Sequence, residues 1–319
     1  MTTDNKTAAS RAQAPTVPDA RPDNWVHRLS PPLARPYLRL ARFDRPIGAW
    51  LLLFPCWWGQ ALGQLASGQR WLDVWFLALF LAGAFVMRGA GCTYNDIVDR
   101  DYDAGVARTR GRPIPSGEVT VRQAALFMVA LCLVGLLVLV QFNGVTVWLG
   151  IASLALVAIY PFMKRLTYWP QVVLGLTFKW GALVGWTAVR GRLEWPPVAL
   201  YAGCVLWTIA YDTIYAHQDK EDDLALGLKS TAIRFGDATA TWLWGLYGAA
   251  LALWCVAGWL AGAGIWTAAA LAAAGCCLAW QVATLDIDDP DNCLYRFKSN
   301  RVVGWVILAG LAGDMALGG

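Results

Sequence analysis

Charge is what this chain has least of. Only 15% of its 319 residues are charged, and 57% are hydrophobic. A water-soluble domain carries about 25% charged residues, so a soluble globular protein is excluded. Histidine occurs only at His27 and His217, and no CxxC pair accompanies it. That leaves no framework for a zinc centre. The cysteines form no disulfide pattern: Cys56, Cys92, Cys132, Cys204, Cys255, Cys276 and Cys277 lie in or beside apolar runs, and Cys293 in a loop. They read as small buried hydrophobes. The net charge of +4 is too small to suggest a nucleic-acid partner. No segment alternates apolar and polar residues as barrel strands do. The first 45 residues lack the short apolar core of a signal peptide.

What is present is a series of long apolar runs. A bilayer core takes about 20 apolar residues per helix, and nine runs of that order occur: 46–66, 72–94, 122–141, 145–163, 169–189, 196–218, 239–261, 264–284 and 301–318. The last carries Asp314 and is the shortest. The expected fold class is all-α, a multi-pass membrane protein. It would be a bundle of about nine transmembrane helices around a central cavity capped on the cytoplasmic side. Residues 1–45 form a polar N-terminal tail and membrane-surface segment, and 46–319 a single transmembrane domain. Within the former, 1–23 read as disordered. Residues 24–45 read as an amphipathic stretch at the bilayer surface, with Trp25, Tyr37 and Phe43 among arginines. Trp57, Trp58, Trp71, Trp148, Trp169 and Trp195 lie near predicted helix ends, as an interfacial belt would place them.

Lys and Arg set the orientation. With the N-terminus cytoplasmic, the inner segments carry 21 of the 26 basic residues, and the outer loops only Arg70, Arg190 and Arg192. This positive-inside bias puts both acidic motifs on the cytoplasmic side, and the expected location is a bacterial inner membrane with the N-terminus cytoplasmic. Arg88 and Lys179 remain inside spans, where charge is costly. No spacing argument accounts for Lys179.

Two acidic clusters follow directly on apolar runs. The first reads Asn95-Asp96-Ile97-Val98-Asp99-Arg100-Asp101-Tyr102-Asp103, and the second runs from Asp212 to Asp223. At about 100° per helical residue, Asn95, Asp96, Asp99 and Asp103 share one face and Asp101 points away. Treated the same way, Asp212, Asp219, Asp223 and Tyr215 share a face, while Glu221 and His217 fall off it. Arg88, two turns before Asn95, returns to the first face. Stacked carboxylates repel unless cations neutralise them. Mg²⁺, which takes few carboxylates and completes its octahedron with water and phosphate oxygens, suits such a pair of faces. Arg108, Arg110 and Arg112 follow the first cluster, and Lys229 and Ser230 the second. Arg112 is fixed between Gly111 and Pro113-Ile114-Pro115. Such cations suit phosphate oxygens that a metal leaves free. The acidic loop Asp286, Asp288, Asp289, Asp291 shows no common face and reads as solvated.

These motifs resemble the UbiA superfamily of intramembrane aromatic prenyltransferases, whose pattern is NDxxDxxxD in one region and DxxxD in another. Here the two are Asn95–Asp103 and Asp219–Asp223. The closer resemblance is to the members that act on 4-hydroxybenzoate in ubiquinone synthesis. It rests on Arg42-Phe43-Asp44-Arg45-Pro46-Ile47-Gly48, Arg112–Gly117, Tyr160-Pro161-Phe162-Met163-Lys164-Arg165, Tyr211–Ala216 and Gly227–Thr231. The resemblance implies a reaction in which Mg²⁺ ionises an allylic polyprenyl diphosphate and the prenyl cation attacks 4-hydroxybenzoate ortho to its hydroxyl. It implies Asn95, Asp96, Asp99, Asp103, Asp212, Asp219 and Asp223 as the metal set, and Arg112, Lys164 and Lys229 for diphosphate. Arg165 would take the aromatic carboxylate, and Tyr160 and Tyr215 would shield the carbocation. Asp219 would polarise the phenol or accept the ring proton. Two alternatives stay open. One is a sister enzyme with another aromatic acceptor. The other is a cation-coupled transporter, against which the acids lie at helix ends rather than at the bilayer midplane.

Overall fold

The computed structural model describes residues 24–105 and 109–318. The expected tail over 1–23 and Arg108 lie outside the described residues. Two short helices lead in, α1 (Trp25–Leu29) and α2 (Arg35–Leu40). Then follow α3 (Ile47–Leu65), α4 (Val74–Val98), α5 (Arg100–Gly105), α6 (Val121–Leu139) and α7 (Gly144–Ile159). A 3₁₀ turn, Tyr160–Phe162, leads to α8 (Met163–Leu166), α9 (Pro170–Phe178), α10 (Gly181–Arg190) and α11 (Trp195–Ala216). A second 3₁₀ turn, His217–Asp219, precedes α12 (Lys220–Ala225) and α13 (Thr231–Phe235). The chain ends with α14 (Thr239–Leu260), α15 (Ile265–Ala283) and α16 (Pro290–Leu317).

Among the described residues, eight segments are long and apolar enough to cross a membrane. The chain is a multi-pass membrane protein. The first predicted run, α3, is not one of the eight. It has the length to span, but tryptophans, Pro55, Gln60 and Gln64 dilute its hydropathy. Its amide N–H groups find acceptors: Gln60 Nε2 donates to Gln64 Oε1 (3.0 Å) and to Asp73 O (2.9 Å), and Gln64 Nε2 to Trp71 O (3.3 Å), while Gln60 Oε1 has no partner among the described residues. A buried donor in hydrocarbon needs such a partner. Helix α3 is enclosed by α10, α11 and α16, with Phe54 and Trp58 fully buried. By contrast, α6 and α7 turn Leu126, Leu133, Leu137, Trp148 and Leu154 outward. In water that surface would aggregate; in a bilayer it faces acyl chains.

Small residues let the central helices approach. A Cβ at Gly59 would come within 2.3 Å of Ala182 O, and one at Gly185 within 2.1 Å of Cys56 O. Gly59 and Gly63 on α3 thus pack on Ala182, Trp186 and Val189 of α10, and Gly181 and Gly185 of α10 pack on Cys56 of α3, a small-xxx-small spacing on both helices.

Two expectations change. The connector left between the runs 264–284 and 301–318 is largely helix: α16 starts at Pro290, capped by the Asp289 carboxylate, which accepts from Asp291 N. Proline at the first helical position costs no hydrogen bond, so a polar first half did not prevent helix formation. Asp314, in the last span, is well partnered. It accepts from Gly264 N (2.8 Å), Trp266 N (3.0 Å) and Thr267 N (2.9 Å), and so caps α15 from another helix. Trp57 and Trp58 are core residues rather than interfacial ones, donating to Leu77 O and Gly304 O. Trp71, Trp148 and Trp195 are largely exposed, as a belt requires.

An open groove of about 900 Å³ lies at the far end of the bundle, lined by Arg190, Glu194, Trp195 and Leu260 among others. None of the acidic motif residues reaches it.

Candidate active site

Helix α4 ends at Val98 and α5 begins at Arg100, with Asp99 between them at ψ 5°, yet hydrogen bonds of helical spacing cross the break. Asp99 N donates to Asn95 O (2.9 Å) and Asp103 N to Asp99 O (2.8 Å). Asn95, Asp99 and Asp103 therefore stack one turn apart, and Asn95 Nδ2 donates to Asp99 Oδ2 (3.2 Å). Asp96, Asp99 and Asp103 are all buried. Asp101 is exposed and meets Arg100 at 3.5 Å.

Four cations brought from three places neutralise this face. Arg42 Nη2 donates to both oxygens of Asp96, at 2.6 and 2.9 Å. Arg112 Nη1 bridges Asp96 (3.1 Å) and Asp103 (2.6 Å). Lys164 Nζ reaches Asp99 Oδ2 at 2.7 Å, and Arg165 Nη2 reaches Asp99 Oδ1 at 2.9 Å. Burial pushes the Asp103 carboxyl above the usual carboxylate range, against the pull of Arg112. Arg165 is further fixed by stacking over Tyr102, 4.6 Å from the ring centroid, and by donating to Val98 O (3.3 Å).

Arg42 is the functional residue that spacing arguments passed over. It sits at φ 60°, the only described non-glycine residue with positive φ, and also donates to Arg39 O (2.9 Å). Such a backbone conformation is held only where the surroundings over-determine it. Next to it, Arg39 grips Glu118 with two 2.8 Å bonds and Gly111 O at 2.7 Å. The segment read as lying on the membrane surface thus braces the loop carrying Arg112. The Arg42-Phe43-Asp44-Arg45-Pro46 motif was a signal for it; its partner, 54 residues away, was not visible.

The second cluster departs from the helical wheel. Helix α11 ends at Ala216, a 3₁₀ turn follows, and α12 starts anew at Lys220. The angle computed from Asp212 to Asp219 and Asp223 on one continuous helix therefore does not apply. Asp212 remains on α11, beside Gln171 and within electrostatic reach of Arg88, Lys179 and Asp219. Asp219 ends the 3₁₀ turn, and Asp223 sits in α12, where its carbonyl accepts from Leu228 N. Tyr160 opens the 3₁₀ turn between α7 and α8, four residues before Lys164. Lys229 ties the loops together, its backbone N–H donating to Lys164 O (2.9 Å) and its Nζ to Leu166 O (3.3 Å). Ser230 caps α13. Tyr215 packs on Phe297 with ring centroids 4.6 Å apart. Arg110 is exposed, and Glu221 likewise faces solvent. His217 bonds Thr239 Oγ1 through Nε2 (3.0 Å) and takes no part.

The donors around this face are amide and carboxylate oxygens, which suit a hard cation. Among the described residues no three His, Cys, Asp or Glu side chains converge to hold an ion unaided. Oxygen donors of this kind are what Mg²⁺ takes, alongside water and phosphate oxygens.

A family model described as "UbiA prenyltransferase family" matches residues 52–305. The chain is 51% identical over 278 residues to the mitochondrial 4-hydroxybenzoate polyprenyltransferase of Aedes aegypti, covering 86% of this chain and 62% of that one. It is 48% identical over 279 residues to the human protein of the same name, covering 87% and 74%. The chain thus spans less than two thirds of the Aedes relative's length. Its fold matches a UbiA homolog from Aeropyrum pernix K1 with TM-score 0.70 at 24% identity, covering 83% of this chain and 98% of that one. It also matches a UbiA homolog from Archaeoglobus fulgidus bound to GPP and Mg²⁺, with TM-score 0.61 at 18% identity, covering 88% and 99%. By the match over most of its length, carried on a face of stacked carboxylates and converging cations, the chain belongs to the UbiA prenyltransferase family.

Proposed function

We propose that the protein transfers a polyprenyl group from an allylic polyprenyl diphosphate to the ring carbon ortho to the hydroxyl of 4-hydroxybenzoate, releasing diphosphate, in ubiquinone synthesis. The observation that carries this reading is the identity of about one half, over most of the chain, to proteins named for that activity.

Asn95, Asp99 and Asp103 from one helix end, and Asp219 and Asp223 from the other, would hold Mg²⁺. Asp96 and Asp212 would stay with their cations, Arg42 and Arg112 for the first and Arg88 for the second. Bound Mg²⁺ supplies positive charge against which the diphosphate can leave. Arg112, Lys164 and Lys229 add charge at its oxygens. Arg165 uses one nitrogen on Asp99 and Val98 O. A guanidinium has five donors, so the remainder would pair with the acceptor carboxylate. The allylic C–O bond breaks and the ring carbon bonds to the allylic carbon. Tyr160, Tyr215 and Phe297 present ring faces to the cation and exclude water. The ring proton then leaves to Asp219, restoring aromaticity.

The basic-residue bias supports an N-terminus and active site on the cytoplasmic side of a bacterial inner membrane; the relatives above are mitochondrial by name. Residues 24–45 would rest at that surface, with 46–319 as the catalytic domain. The test is to incubate membranes carrying the protein with Mg²⁺, a polyprenyl diphosphate and labelled 4-hydroxybenzoate, and then extract lipid. Label entering the lipid phase is expected. Its absence across several chain lengths, with label entering from another aromatic acceptor instead, would transfer the protein to a sister activity.

A further inference from the structure

Lys179 is a fully buried basic side chain that the proposed reaction does not use. It sits where the fifth predicted span breaks, between α9 and α10. Its Nζ donates to Leu51 O on α3, at 2.6 Å. That carbonyl is special. Pro55 lies four residues on inside α3 and has no N–H, so Leu51 O is the acceptor its helix leaves without a donor. The other faces of the ammonium rest on aromatic rings of α11, 4.5 Å from the Trp207 centroid and 5.2 Å from that of Tyr211. Intramembrane proline is tolerated where a neighbour satisfies the freed carbonyl, and a buried charge persists where it has such partners.

We infer that Lys179 supplies the hydrogen bond that Pro55 removes from α3, and thereby holds α3 against the part of α11 that carries Trp207, Tyr211 and Asp212. It is a positioning residue, acting through Tyr211 without touching substrate. The two helix defects, a proline gap in α3 and a break after α9, are then one joint. The catalytic part of this inference rests on the proposed reaction; the pairing of Lys179 with Pro55 does not.

The test is a cycle of Lys179→Met, Pro55→Ala and the double variant, purified in detergent and unfolded by heat. Lys179→Met leaves Leu51 O without a donor. Pro55→Ala restores the intrahelical N–H and strands the ammonium. The double variant repairs both faults. Each single variant is therefore expected to lose more thermal stability than the double, which recovers at least half of the loss. A double variant no better than the worse single overturns the pairing, including by failing to insert. Kinetics test the positioning. Each single variant is expected to raise KM for 4-hydroxybenzoate several-fold and leave KM for the prenyl diphosphate unchanged, because the diphosphate is held at the cytosolic acids. The double variant should restore the first value. Equal changes in both constants, or a fall in kcat alone, would reduce Lys179 to a purely structural residue. A wild-type protein that does not prenylate 4-hydroxybenzoate would refute the reaction and leave the stability cycle to judge the joint.

Discussion

Asp96→Asn separates two roles that one acidic motif allows this residue, metal ligand or ionic latch. Its side chain is fully shielded and meets Arg42 at 2.6 Å and Arg112 at 3.1 Å. Removing one partner of a buried pair costs about 3–5 kcal/mol, because the other charge is stranded. Arg112 keeps Asp103 at 2.6 Å, and the asparagine oxygen still accepts one bond, so the low end applies, about 3 kcal/mol. Unfolding entropy of about 2 cal/mol/K per residue over this chain turns that into a fall of about 4–5 °C in Tm. The matched control is Asp101→Asn, at an exposed carboxylate 3.5 Å from Arg100, where the shift should stay within about 1 °C. Heat unfolding of detergent-purified protein, followed by the fluorescence of its tryptophans, reads both. A latch loses Tm and keeps the wild-type Mg²⁺ dependence of turnover in the folded fraction. An Asp96→Asn variant with unchanged Tm and a raised Mg²⁺ requirement would refute the latch and return Asp96 to the metal.

Asp99→Ala and Asp219→Ala should each abolish prenyl transfer while the protein still inserts; turnover retained in either would remove that residue from the proposed metal set. Asp314→Ala withdraws the acceptor from three N–H groups at the start of α15. It should cost at least the 1–2 kcal/mol of a lost N-cap, seen as a lower Tm with unchanged activity per folded molecule; an unchanged Tm would show that the cap is dispensable. Gly185→Ala places a methyl 2.1 Å from the Cys56 carbonyl. Overpacking of about 1–3 kcal/mol should lower Tm, whereas Gly245→Ala, with open space at its Cβ, should not.

The stacking of Asn95, Asp99 and Asp103 was legible because it depends on one local quantity, helical pitch, and the hydrogen bonds through Asp99 and Asp103 preserve it. The same arithmetic failed from Asp212 to Asp223, where the chain leaves the α-helix after Ala216 and each later residue loses its phase. The run over 301–318 was read too short for a related reason. Apolar length marks the part of a helix that meets lipid, and α16 begins eleven residues earlier, in a polar segment that the Asp289 cap and Pro290 make helical.

By itself the sequence determined that this is a helical membrane protein, which faces its acids take at the end of α4, and which motifs flank them. Those follow from residue type and from periodicity along a single element. Only the tertiary structure decided what neutralises each charge. Arg42 finds Asp96 across 54 residues, Lys179 finds the carbonyl freed by Pro55 across 128, and Asp314 caps a helix that starts 49 residues before it. A charge in a low-dielectric interior must be met by a partner, but the sequence states only that the partner must exist. Which one it is depends on how helices far apart in the chain pack.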